Sequence, residues 1–142
     1  VGAAMTDTKT VEPLRLVVDV HGDDMLNMNQ PKNRYVQAQY VKRLRQLGWA
    51  VARSQPRKIT HAVAIRATIA PPVETFFHKR DSPNYMPTLK ALLDGIVDAG
   101  VLIDDSDKYV PLFCIEPSRA PYSRPGWWRI TFTIGDGRDI WT

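Results

Sequence analysis

Between Pro87 and Gly100 the chain reads as a helix buried along one side. Leu89, Leu92, Leu93, Ile96 and Val97 recur at i, i+3, i+4, i+7 and i+8, the spacing that lines one face of a 3.6-residue turn. Pro87 suits the first turn, where its missing N–H would have no partner anyway. Gly100 is placed to end the helix in the left-handed conformation. A helix with one apolar face must bury it against a sheet or another helix, so the remaining segments are read as its partners.

Four segments carry the alternation of strands. Residues 14–20 place Leu14, Leu16, Val18 and Val20 on one face. Residues 60–70 set Val63, Ile65, Ala67 and Ile69 against Ala62, Ala64, Arg66 and Thr68, and Pro71-Pro72 closes the run. Residues 109–116 and 127–134 follow, the last with Trp128, Ile130, Phe132 and Ile134 alternating. A first helix is expected over 34–53, with Val36, Tyr40, Leu44, Leu47 and Val51 as its buried stripe and Gly48 as a weak point where it could stop. Residues 21–33 are too poor in apolar side chains for a core element. The order β-α-β-α-β-β predicts an α/β (α+β) fold: one small domain over 14–142, with a mixed sheet of about four strands packed against two helices, after a flexible lead-in over 1–13.

At 142 residues the chain is the size of one domain with a real core. No apolar run nears the ~20 residues needed to span a bilayer, so no membrane association is expected. Val1 to Thr10 lacks the basic start and apolar stretch of a signal peptide. The single cysteine, Cys114, precludes an internal disulfide, fits a reducing cytoplasm, and is expected in the core. His21, His61 and His78 have no metal-ligand spacing, which argues against zinc. No Gly-rich phosphate loop appears, so no nucleotide cofactor is expected, and no serine has a G-x-S-x-G setting.

Charge is segregated. From Met25 to Val73 there are nine Lys and Arg and no Asp or Glu, whereas residues 81–105 hold Asp81, Asp94, Asp98, Asp104 and Asp105 against the single base Lys90. With a net charge of +4 and a pI of about 9.4, a one-sign surface concentrates a polyanion, and DNA is the expected one. Its phosphates would meet Lys32, Arg34, Lys42, Arg43, Arg45, Arg53, Arg57 and Lys58, with Lys79 and Arg80 beside Asp81, and Arg119 and Arg124 on the proline-rich loop 117–126. The plainer reading is a solvated basic helix face. Carboxylates are hard donors that suit Mg²⁺ or Mn²⁺. Asp81 lies before the second helix, Asp104 and Asp105 after it; helix length and the reach of the flanking segments allow the three to converge without forcing it. Equally, Lys90 and Asp94 read as a surface i, i+4 pair, Asp104-Asp105 as a tight turn, and Asn84 as a helix cap.

Asp81-Ser82-Pro83-Asn84, Pro87-Thr88-Leu89-Lys90, Asp94-Gly95, Asp98-Ala99-Gly100 and Asp104-Asp105, taken together, resemble the core of the RusA family of Holliday junction resolvases, especially phage and prophage forms. The motif covers residues 80–105, and the element order extends the resemblance loosely over 14–134. It implies a homodimeric, Mg²⁺-dependent endodeoxyribonuclease acting on branched DNA, with Asp81, Lys90 and Asp105 catalytic. Asp81, Asp104 and Asp105 would be metal ligands, and Asn84 and Asp94 supporting residues. The family has an acidic residue immediately before the asparagine, where this chain has Pro83; either Asp94, Asp104 or Asp107 stands in for it, or metal affinity is lower. A non-catalytic DNA-binding protein and a phage assembly protein with basic surfaces are the other readings.

Overall fold

The computed structural model describes residues 12–141, so most of the expected lead-in lies outside the described residues. Six elements follow one another in the expected order: β1 (Leu14–His21), α1 (Arg34–Ala52), β2 (Ala64–Ala70), α2 (Met86–Asp98), β3 (Leu112–Pro117) and β4 (Trp127–Gly135). The strands form one mixed sheet in the order β1-β4-β2-β3. β4 lies antiparallel between β1 and β2, and β3 pairs parallel with β2 at the edge. A parallel neighbour requires a crossover, and α2 supplies it between β2 and β3.

The alternation seen in the sequence decides which sheet face is dry. Leu16, Val18, Ile65, Ile69, Ile130 and Phe132 join Leu44, Leu89, Leu92 and Ile96 in one core. The opposite face carries Asp19, Arg66, Thr68, Arg129 and Thr131, all half-buried. Gly100 takes a φ of +82° and ends α2 as expected.

Gly48 corrects the expectation for the first helix. α1 runs past it to Ala52. A Cβ on Gly48 would collide with the Leu92 carbonyl oxygen, and one on Gly95 with the Arg45 carbonyl oxygen. The two glycines are therefore where α1 and α2 cross, main chain against main chain. The cost of a helical glycine is offset by an approach no larger residue permits. Two further expectations fail. Met25 and Leu26, in the segment read as too polar for the core, are both buried. Cys114, expected in the core, is half-buried, because β3 is the edge strand and Cys114 sits in register with Arg66 on the polar face. Among the described residues no helix is long and apolar enough to cross a membrane.

Candidate active site

Because α2 turns its leucines inward, Lys90 and Asp94, one turn apart, stand on the outer side of the helix. Beyond Gly100 the chain is pinned: the Ile59 N–H donates to the Val101 carbonyl at 2.8 Å, and Ile59 bridges Leu102. This returns Asp105 to the helix. Lys90 Nζ donates to Asp94 Oδ1 at 2.7 Å and to the Asp105 carboxylate. The Asp105 N–H donates to Asp104 Oδ1 at 2.8 Å, which orders the turn. The side chains of Asp94 and Asp105 are 27% and 19% exposed against 51% for Lys90, so the cation forms the open side of the cluster. Burial alone would lower the Lys90 pKa, but hydrogen bonds to Asp105 and Asp94, with their charges, hold it above its ordinary value. Burial pushes Asp105 up, and the Lys90 hydrogen bond and charge outweigh it, leaving that carboxyl below its usual range.

Asp81 lies elsewhere. It is exposed and precedes the 3-10 turn Ser82–Tyr85 without capping it. It lines a recess of about 400 Å³ with Asn27, Asn29, Lys79, Arg80 and Asn84. Long-range bonds build that recess. The Met28 N–H donates to the Asn84 carbonyl at 2.8 Å. The buried Thr88 hydroxyl accepts from the Leu26 N–H at 2.8 Å and donates to the Leu26 carbonyl at 2.9 Å. Asn84 is thus held by its main chain, and the N-cap position of α2 falls to Tyr85, with no side-chain bond. Asn27 and Asn29 were not marked as site residues by the sequence, where they stood only as part of the polar stretch 21–33.

The structure therefore joins Lys90, Asp94 and Asp105, with Asp104 adjoining, and sets Asp81 and Asn84 in a separate recess. Among the described residues no three His, Cys, Asp or Glu side chains are gathered closely enough to share one ion. Donor type suits a divalent cation, since Asp81, Asp104 and Asp105 offer the hard oxygens such an ion takes, but their placement does not bring all three to one point.

The basic residues divide by their partners. Arg45 is held by Asp98 through two hydrogen bonds, which raise the Arg45 pKa and depress that of Asp98. Arg43 reaches Asp24 at 3.4 Å and lies over Tyr40, as does Lys32. Arg57 donates to the Glu12 carbonyl and Lys58 to that of Ala99. Arg53 and Arg124 lie over Trp49 and Trp127, and Arg80 is bound to loop carbonyls. Of the expected DNA contacts, Arg34, Lys42, Lys79 and Arg119 have no such partner among the described residues, which leaves them available to a phosphate.

A second polar cluster escaped the sequence reading. On the open sheet face the Arg129 guanidinium donates to both Asp19 oxygens, at 2.8 and 3.1 Å, and Tyr122 Oη donates to Asp19 at 3.1 Å. The Arg129 hydrogen bond draws the Asp19 carboxyl below its ordinary range. Arg66 pairs with Glu116 alongside at 2.7 Å. Asp19 and Arg129 are direct cross-strand partners. Opposite charges at polar-face positions of two strands were the available signal, but pairing β1 with β4 requires the topology. No family model matches the chain, and no curated protein matches it.

Proposed function

We propose that the chain is a Mg²⁺-dependent, structure-selective endodeoxyribonuclease that resolves four-way DNA junctions, in recombination and repair or in phage DNA processing in a bacterial cytoplasm. The observation that supports it is the meeting of Lys90, Asp94 and Asp105. Two carboxylates, four and fifteen positions on from Lys90, converge on its ammonium, inside the motif that resembles a junction resolvase. Lys90 stays protonated at neutral pH and is aimed by two carboxylates, so a scissile phosphate beside it meets a cation that need not reorganise as charge develops. Asp105 stays ionised. Asp104 and Asp105 would offer hard oxygens to Mg²⁺ or Mn²⁺, which supplies Lewis acidity toward a phosphate oxygen, and Asp81 would have to be brought to the same ion. Arg34, Lys42, Lys79 and Arg119 would position DNA without reading sequence, which fits selection by branch shape. A homodimer would present two sites to two opposed strands.

The second reading, a DNA-binding protein without turnover, draws on Pro83 and on the separation of Asp81 from Asp104 and Asp105. One assay decides. Four-way junction and linear duplex are incubated with Mg²⁺, with Mn²⁺ and with EDTA. Junction cleavage that needs the metal supports the enzyme; tight junction binding without cleavage under any condition supports the second reading.

A further inference from the structure

Phe77 is 94% exposed, the most exposed of the large apolar side chains among the described residues. A ring left in water forfeits the gain of burial, yet the loop that carries it is firmly built. The Val73 N–H donates to the Tyr122 carbonyl at 3.1 Å, and the Phe76 and His78 N–H groups close turns onto Val73 and Thr75 at 3.3 and 3.0 Å. The Arg80 guanidinium donates to the Phe76 carbonyl at 3.0 Å and to that of Thr75, and lies 5.7 Å from the Trp128 ring centre. The loop thus spends its hydrogen bonds on a shape that holds Phe77 outward. Phe76 braces the ring edge-on at 5.1 Å between centroids, and most of its surface stays open.

The surroundings select an occupant. Lys79, without an intramolecular partner among the described residues, follows Phe77 by two residues. Lys79 and Arg80 lead directly into the recess of Asp81 and Asn84. An aromatic face two residues from Lys79, on the segment that leads into the recess of Asp81, suits a ligand that is flat on one side and anionic on the other, which is an unstacked nucleotide. Bases in linear duplex are stacked and paired; those at a branch present a free face. We propose that Phe77 is a stacking platform for an exposed base at the branch point, and so a source of selectivity for branched over linear DNA. This rests on the nuclease reading above and adds the group that recognises the branch.

The test measures binding of labelled four-way junction and linear duplex of matched sequence in Ca²⁺, together with junction cleavage in Mg²⁺. Stacking of a base on an aromatic ring predicts that Phe77→Ala weakens junction binding about tenfold, or about 1.4 kcal/mol. Duplex binding and the thermal midpoint should not move. Phe77→Trp should keep junction affinity, and Phe77→Leu, apolar but without a π face, should lose it as Phe77→Ala does. Full affinity in Phe77→Leu, or equal losses on junction and duplex, would overturn the platform. A smaller particle by light scattering in Phe77→Ala would overturn it in favour of a contact with a second copy of the chain. Wild-type protein that binds and cuts junctions while Phe77→Ala behaves identically refutes this inference alone; wild-type protein that binds neither DNA refutes the nuclease reading with it.

Discussion

Two clusters on this molecule use similar parts to different ends. On the open sheet face, one guanidinium meets one carboxylate through paired hydrogen bonds and a tyrosine hydroxyl completes the shell. Charge there sums to zero and the geometry of the fork is spent. On the outer side of α2, one ammonium serves two carboxylates, with a third, Asp104, bonded to the neighbouring main chain. That cluster carries surplus negative charge, and its cation is the more exposed member. A closed pair fixes structure. An unbalanced cluster that remains open keeps its cation free to meet a further anion, which is what the proposed function asks of Lys90.

The largest expected contrast is between matched carboxamide substitutions. Asp105→Asn should cut junction cleavage about a hundredfold or more while leaving junction binding in Ca²⁺ unchanged, and Asp81→Asn should do the same. Asp19→Asn should leave cleavage near wild type and cost about 1 kcal/mol of stability in urea unfolding, the worth of a half-exposed charged hydrogen bond. Full activity in Asp105→Asn would dissolve the distinction between the clusters.

In acid both carboxyls titrate below the ordinary range, but beside different cations. Asp105 has a depressed folded pKa, so its contribution to stability is present above the ordinary carboxyl pKa and is lost as pH falls through the folded value, below about pH 4. Lys90→Gln should shift the Asp105 titration, followed by carboxyl NMR, upward toward the ordinary range. The Asp19 titration should not move in that variant. An unmoved Asp105 would mean that Lys90 does not hold it in solution.

Pro83→Asp supplies the acidic residue that the resemblance expects before Asn84. It should lower the Mg²⁺ concentration for half-maximal cleavage severalfold. An unchanged or raised requirement would mean that another aspartate already fills the place. The smallest effect is electrostatic. Removing Arg34 or Lys42 should flatten the dependence of log K on log salt by up to ~0.9 each on duplex DNA, and removing Arg45 by less, since Asp98 already holds it. Slopes unchanged from wild type in all three variants would leave the basic face of α1 to solvent.

The strand and helix inventory was legible because period and punctuation act locally. Pro87, Gly100 and the leucine spacing mark α2 without any knowledge of its neighbours, and Trp128, Ile130, Phe132 and Ile134 mark β4. What was illegible depended on contact across the chain. Gly48 looks like a weak point to a propensity scale, which cannot see Leu92 against it. Leu26 sits in a polar stretch and is buried only because Thr88, sixty-two residues on, binds its main chain. The pairing of Lys90 with Asp94 follows from helical spacing alone, whereas its meeting with Asp105 needed the turn that Ile59 imposes.

The crossing at Gly48 and Gly95 has a consequence for descent. Where helices touch through side chains, their spacing drifts whenever a residue at the seam changes size. Here the spacing is set by main-chain atoms, so the seam has no size to vary. Gly95 adjoins Asp94 and lies little more than a turn from Lys90, which ties the position of the charged cluster to the crossing rather than to the composition of α1. The first helix is then at liberty to diverge along most of its length, its cations included, while the charged cluster keeps its place. Distant kin of this chain would be better traced by that pair of glycines than by the basic residues that make it look like a DNA-binding protein.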